Sequence, residues 1–269
     1  MGGVLHIDLM KERSFGTQAG DAVEQVACLL RRRNRSNRAR GCRVGHAGSV
    51  VSSALAAVFF DVDGTLVPET SSSAFLAGFL GHYDELVTAE DAYAAGTMDN
   101  HQVSVLDASG WAGTSETQIR DWLHRLPLVT GIAETVAWCW RNGLVPMLST
   151  LAWAPVGGYL ASRFGFHAFC GPRLETERGL FTGRVSHHFD EHGKRDFAVS
   201  QARELNLEPS SCAAIGDSRS DLPLFGAVGL SVAFNASTAA RASADTVVDS
   251  DDLRAVIPSL SRLIRSTRR

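Results

Sequence analysis

Carboxylates, hydroxyls and one lysine stand where apolar runs of this sequence end. Asp61 and Asp63 follow Ala54-Leu-Ala-Ala-Val-Phe-Phe60, Ser149 and Thr150 follow Leu144-Val-Pro-Met-Leu148, and Gly216-Asp217 follows Cys212-Ala-Ala-Ile215, with Asp221 close behind. Lys194 opens a helix between the second and third of these runs. Carboxylates in such a set can serve as nucleophile, as general acid and base, or as ligands of a hard cation. A hydroxyl and an ammonium can hold the oxygens of an anion. The combination suits phosphoryl transfer, which demands positioned charge around a nucleophile and a departing oxygen.

Taken singly, each residue has a plainer reading. Asp-x-Asp-Gly also opens calcium loops, but such a loop needs further oxygen ligands and a closing Glu, and Pro68-Glu69-Thr70-Ser71 does not supply them. A lone serine after a strand is usually a helix cap, and a lone lysine a solvated surface charge; it is their ordered combination that points to a site. His187, His188 and His192 lie in a polar stretch and read as solvent-exposed rather than as a metal cluster. The tryptophans read as packing residues, except that Trp153 follows Ser149 closely enough to line a pocket.

The elements that must position this set alternate along the chain. The run ending at Phe60 is too short for a typical helix and rich enough in Val and Phe for a buried parallel strand. Residues 70–140 read mostly as helix, over Ser73–Leu80, Tyr83–Ala95 and Glu116–Leu126, with a helix at Thr130–Trp140 returning to the core. Leu144–Leu148 follows as a second strand, with Pro146 a threat to its regularity. Then come a helix over Ala154–Phe164, a short strand at Ala168–Cys170, a hairpin over Leu174–Val185 around Glu177-Arg178-Gly179, and a helix over Lys194–Leu205. Strands at Cys212–Ile215, Leu230–Phe234 and Thr246–Val248, and a helix from Asp252 toward Leu263, complete a pattern typical of a parallel sheet covered by helices. In open sheets of that kind ligands bind at the carboxyl ends of the strands, where Asp61, Ser149 and Asp217 fall.

Composition bounds the setting. Five cysteines without a close pair argue against a zinc site and a disulfide framework, and fit a reducing cytoplasm. No stretch approaches the ~20 apolar residues of a membrane span, and a formal charge of −3 gives no reason to expect nucleic acid or membrane as partner. That charge is unevenly spread: residues 1–55 hold nine Lys and Arg against four Asp and Glu. Residues 1–53 therefore read as a basic, disordered extension, with one short amphipathic helix at 21–30 capped by Asp21. A nucleic-acid arm or a targeting segment are its functional readings; an ornamental or even untranslated extension upstream of a start near Val50 or Val51 is the reading favoured here.

In their order these residues resemble the haloacid dehalogenase-like phosphatase superfamily, whose four motifs appear as Asp61-Val-Asp-Gly-Thr65, Ser149, Lys194 and Gly216-Asp217-Ser-Arg-Ser-Asp221. The resemblance covers about residues 55–250, and a helical insertion between the first two motifs looks like the subgroup containing phosphoserine phosphatase. It implies an α/β fold: a Rossmann-like parallel sheet flanked by helices, with a catalytic core of residues 54–69 and 131–269 and a helical cap of residues 70–130. It implies that Asp61 is the nucleophile and carries an aspartyl-phosphate, and that Asp63 is the general acid and base. It further implies a Mg2+ ion on Asp61, Asp217 and the main-chain carbonyl of Asp63, supported by Asp221, with Ser149, Thr150 and Lys194 on the phosphate.

The substrate is a separate question. In the phosphoserine phosphatase-like subgroup the insertion supplies an acidic residue for the substrate amine and an arginine for its carboxylate. Here Glu69 lies one residue early for the first role, and residues 96–106 contain no arginine for the second; Arg120 and Arg125 are further along. The second motif reads Ser149-Thr150-Leu151 where that enzyme has Ser-Gly-Gly. The expectation is a magnesium-dependent phosphatase for a small phosphorylated metabolite, with Glu69 and Trp153 facing the organic group. Phosphoserine phosphatase is the alternative; a phosphotransferase or phosphomutase, or a non-catalytic binding module, stands behind both.

Overall fold

The computed structural model describes residues 54–267. The basic extension and the helix expected at residues 21–30 lie outside the described residues. In chain order the strands are β1 (Ala56–Phe60), β2 (Leu144–Ser149), β3 (Phe169–Cys170), β4 (Arg173–Glu177), β5 (Leu180–His187), β6 (Ala213–Gly216), β7 (Leu230–Phe234) and β8 (Thr246–Val248). The helices are α1 (Ser72–Leu80), α2 (Tyr83–Ala94), α3 (Asn100–Gly110), α4 (Glu116–Leu123), α5 (Ile132–Arg141), α6 (Ala154–Phe164), α7 (Glu191–Glu204), α8 (Leu222–Phe225), α9 (Thr238–Ser243) and α10 (Ile257–Thr267).

Every side chain of β1 is buried because helices cover both faces of the sheet, and alternate residues enter different cores. Ala56, Val58 and Phe60 pack with Ile132 and Val136 of α5, Leu160 of α6 and Leu260 of α10. Ala57 and Phe59 meet Ala198 and Ala202 of α7, Phe225 of α8 and Ala240 of α9. The six strands run parallel in the order β3-β2-β1-β6-β7-β8. Successive strands step to one side from β1 and to the other from β6, so the sheet's topological switch lies between these two neighbours, where ligands of such sheets bind.

Register sharpens the placement. Phe60 pairs with Leu148 on one side and with Ile215 on the other, so the next residues, Asp61, Ser149 and Gly216, stand in one row at the strand ends. β2 runs unbroken through Pro146, whose carbonyl still accepts from the His167 N–H at 2.8 Å.

Helices α1 to α4 lie in sequence between β1 and α5, and Leu76, Trp111, Ile119 and Leu123 continue the first core into them. The hairpin β4–β5 stands apart from the six-stranded sheet and pairs instead toward these helices, with Gly113 N–H donating to the Phe181 carbonyl and Phe181 N–H to that of Thr114. Its turn falls at Arg178-Gly179, with φ of 52° and 80°, the left-handed pair that two-residue hairpins require.

Two expectations needed correction. Helix α3 was not anticipated: its buried residues are Ser104, Asp107 and Ala108, so it has no apolar stripe, and its signal is the Asp99–Gln102 capping box. α7 begins at Glu191 rather than Lys194, because Asp190 caps it by accepting from Gly193 N–H; Lys194 is one turn in and fully buried. No helix among the described residues is long and apolar enough to cross a membrane.

Candidate active site

The site begins where β1 stops. Asp61 N–H still donates to the Ile215 carbonyl at 2.9 Å, continuing the contact with β6, and the chain then folds back on itself. The Val62 carbonyl collects the N–H groups of Thr65, Leu66 and Val67, while Val62, Leu66 and Val67 anchor the loop in the core. Gly64 has φ 80°, and a Cβ built there would stand 2.2 Å from an oxygen of Asp217. Its role is thus more specific than a tight turn: it leaves the space that the Asp217 carboxylate fills. Gly216 does the same for Asp221, whose carboxylate would meet a Cβ there at 2.2 Å.

Lys194 ties this row together from below. Its ammonium lies 2.6 Å from Asp221 Oδ1, 3.2 Å from Asp61 Oδ1 and 3.1 Å from Ser220 Oγ. Burial works against its charge, but Asp221 and Asp61 outweigh burial and hold its pKa above the ordinary lysine value. Asp221 also accepts from the N–H groups of Asp217 and Ser218, which fixes the loop after β6. Asp63 points elsewhere: its Oδ1 accepts from Ser72 N–H at 2.6 Å, at the start of α1.

The four aspartates outnumber the one lysine. Burial, with Asp221 and Asp63 nearby, pushes Asp61 up to about 7 despite Lys194. Burial with Asp61 and Asp221 pushes Asp217 up to about 9. Burial raises Asp63 too, opposed by its Ser72 hydrogen bonds. Carboxylate oxygens of Asp61, Asp217 and Asp221 lie within 4.8 Å of one another, and Asp217 Oδ1 is buried without a hydrogen-bond partner. An all-oxygen, electron-rich donor set with an orphaned lone pair fits a hard divalent cation such as Mg2+. Among the side chains it is Asp221, not Asp63, that completes this group.

A cavity of about 420 Å³ opens above these residues, within the usual size of small-molecule sites. Asp61, Asp63, Asp217, Thr150, Glu69 and Trp153 all line it. Ser149 does not line it; its hydroxyl donates to the Lys194 main-chain carbonyl at 3.1 Å, which makes it a brace for that lysine. Glu69 is exposed at φ 63°, and the three histidines at 187, 188 and 192 are exposed as well.

The helix-side wall holds acids that no sequence motif marks. Asp107 of α3 is 2% exposed, yet its oxygens accept from Trp153 Nε1 at 2.6 Å and Trp111 Nε1 at 3.1 Å and meet His82 Nε2 at 2.8 Å. Glu90 of α2 lines the same wall and accepts from Ser71 Oγ at 2.6 Å. Nothing in the local pattern marks either acid as inward-facing. Arg219, which also lines the cavity, was visible inside the fourth motif. Its guanidinium donates to the Tyr93 carbonyl at 2.7 Å, lies 4.4 Å over the Tyr93 ring and stands 3.8 Å from Glu191. Arg120 lines a separate cavity beside α6 and the hairpin, and Arg125 sits over the Phe79 ring.

Comparison with known proteins agrees with this geometry. A family model described as haloacid dehalogenase-like hydrolase matches residues 58–226. The chain is 28% identical over 203 residues to a phosphoserine phosphatase of Albidiferax ferrireducens, covering 73% of this chain and 85% of that protein. It is 27% identical over 222 residues to a phosphoserine phosphatase of Lactococcus lactis, covering 76% and 94%. Among solved structures, a phospho-aspartyl intermediate analogue of phosphoserine phosphatase superposes with a TM-score of 0.69 at 21% identity, covering 76% of this chain and 98% of that one, a likeness of fold.

Proposed function

This chain belongs to the haloacid dehalogenase-like hydrolase family, and from that premise we propose that it is a phosphoric monoester hydrolase for a small organic phosphate, working through an aspartyl-phosphate on Asp61. The observation that carries the reading is the pairing of a lysine-held Asp61 with Asp63, two residues on, at the floor of one cavity. A carboxylate oxygen of Asp61 attacks phosphorus, and the bond from phosphorus to the ester oxygen breaks. Asp63 gives its proton to the departing alkoxide; burial raises its pKa, a shift in the direction that favours the acid form. In the second displacement Asp63 takes a proton from the attacking water, the acyl-phosphate bond breaks, and phosphate leaves with Asp61 restored.

Lys194 holds Asp61 and partly offsets the repulsion between the carboxylate and the incoming phosphate. Thr150, the residue after β2, offers its hydroxyl to the phosphate, with Ser149 keeping Lys194 in place. A Mg2+ ion on Asp61 and Asp217, with Asp221 and the Asp63 main-chain carbonyl beside them, supplies the remaining positive charge when bound. Helices α1 to α4 serve as the cap that closes the organic end.

The test is phosphate release from a panel of esters with and without Mg2+. Asp61→Asn should fall to background while circular dichroism shows an intact fold; full activity in that variant would end the mechanism. The relatives' names favour phosphoserine phosphatase as a second reading. Strong preference for L-phosphoserine over all other esters would establish it.

A further inference from the structure

Resting on the phosphatase reading, we infer that the substrate's organic group carries a cationic nitrogen and no carboxylate, and that Glu90 is the residue that reads that charge. Charge is distributed unevenly along the cavity. Its floor is served by Lys194. Its helix side holds Glu90 and Asp107, with Glu69 at the rim, and the cation that lines it, Arg219, is already committed to Tyr93 and Glu191.

Asp107 and Glu90 differ in what they leave free. Both oxygens of Asp107 are taken up by the two indoles and His82, so this carboxylate is already partnered and is not a group waiting for a ligand. Glu90 has one hydrogen bond, from Ser71, and no ion pair among the described residues. Burial, together with the like charges of Asp63, Asp107 and Asp91, pushes its pKa up to about 7. An acid kept partly buried in a cavity wall without a cation is unfavourable in the empty site, and a ligand cation relieves that cost on binding. A ligand carboxylate would add to it.

The surroundings agree with a nitrogen rather than a metal. Leu86, Val103 and Trp153 line the same cavity as Glu90, apolar and aromatic residues that suit the carbon skeleton around an amine or ammonium. The Tyr93 hydroxyl, in the same wall, is buried without a hydrogen-bond partner. Among the described residues, the helices α1 to α4 place no guanidinium in the lining of this cavity: Arg120 faces another cavity and Arg125 covers Phe79.

The test uses matched esters and the full-length protein with Mg2+. O-phosphoethanolamine, its neutral counterpart 2-hydroxyethyl phosphate, and L-phosphoserine, which adds a carboxylate to the first, are compared by kcat/KM. A hydrogen-bonded charge contact predicts that O-phosphoethanolamine exceeds each of the others by about 10- to 100-fold. Glu90→Gln should bring the cationic and neutral esters to within about threefold of each other, mainly by raising KM for the cationic one. If wild-type protein turns over 2-hydroxyethyl phosphate or L-phosphoserine as well as the cationic ester, or if Glu90→Gln keeps the preference, this inference is wrong and the phosphatase reading stands. If no ester releases phosphate, the phosphatase reading falls and takes the inference with it.

Discussion

The strand-end floor of the cavity and its helical wall are both acidic, but they hold their charge in different ways. On the floor, Asp61 and Asp221 share the buried Lys194 ammonium, and Asp217 keeps an orphaned oxygen where a cation fits. On the wall, Asp107 is held by neutral indoles and a histidine, and Glu90 by a serine hydroxyl. The indoles and the serine hydroxyl satisfy hydrogen bonds without cancelling charge, whereas His82 pairs with Asp107 as an ion when protonated. The floor thus carries a buried cation between two of its carboxylates, whereas Glu90 on the wall has a hydroxyl partner and no ion pair among the described residues.

Breaking the floor should have the largest effect. Lys194→Met leaves Asp61 and Asp221 buried and unpaired, so phosphate release should drop to background, and urea unfolding should show a loss of about 3–5 kcal/mol. Next comes Gly64→Ala, which puts a methyl into the Asp217 carboxylate and forces a non-glycine residue to φ 80°. A displacement on that scale should lower kcat about 100-fold, measured at saturating Mg2+, with the apparent Mg2+ affinity weakened in the same titration.

The wall should respond more gently and on a different parameter. Trp153→Phe removes the 2.6 Å hydrogen bond that joins Asp107 to the segment after β2. The expected cost is about 1–3 kcal/mol in unfolding free energy, with KM rising more than kcat falls. The smallest effect is on pH. Glu90 has a folded pKa of about 7 against an ordinary 4.5, so the folded state binds more protons between those values. Stability from this group is lost as pH rises through that window. Glu90→Gln should flatten the slope and be the more stable protein at about pH 8 by up to ~2 kcal/mol, but not at about pH 4. Equal slopes in urea titrations of the two proteins would show that Glu90 is not held in a buried, cation-poor setting.

Much of the fold was legible because it rests on local pattern. β7 and α6 have the bounds that their apolar runs suggested, since a strand buried along nearly its whole length, or an amphipathic helix with a glycine after it, writes itself into consecutive residues. α3 was not legible for the converse reason: a helix whose inward face is Ser104, Asp107 and Ala108 looks like a surface loop. Ser149 shows the same limit at the site. Its place after β2 was clear, but the direction of its hydroxyl, toward the Lys194 carbonyl and away from the cavity, depends on where α7 lies.

By itself, then, the sequence determined which residues end the strands and hence which chemistry is at hand: Asp61, Asp63, Thr150 and Asp217 follow short buried runs that any parallel sheet would end in polar residues. Only the tertiary structure decided the register that sets Asp61, Ser149 and Gly216 side by side, and the buried lysine that holds two of the aspartates. It alone decided, too, that Asp107 and Glu90 turn inward, because an acid's orientation is set by partners distant in the chain, and here those partners are Trp153, 46 residues from Asp107, and Ser71, 19 residues from Glu90.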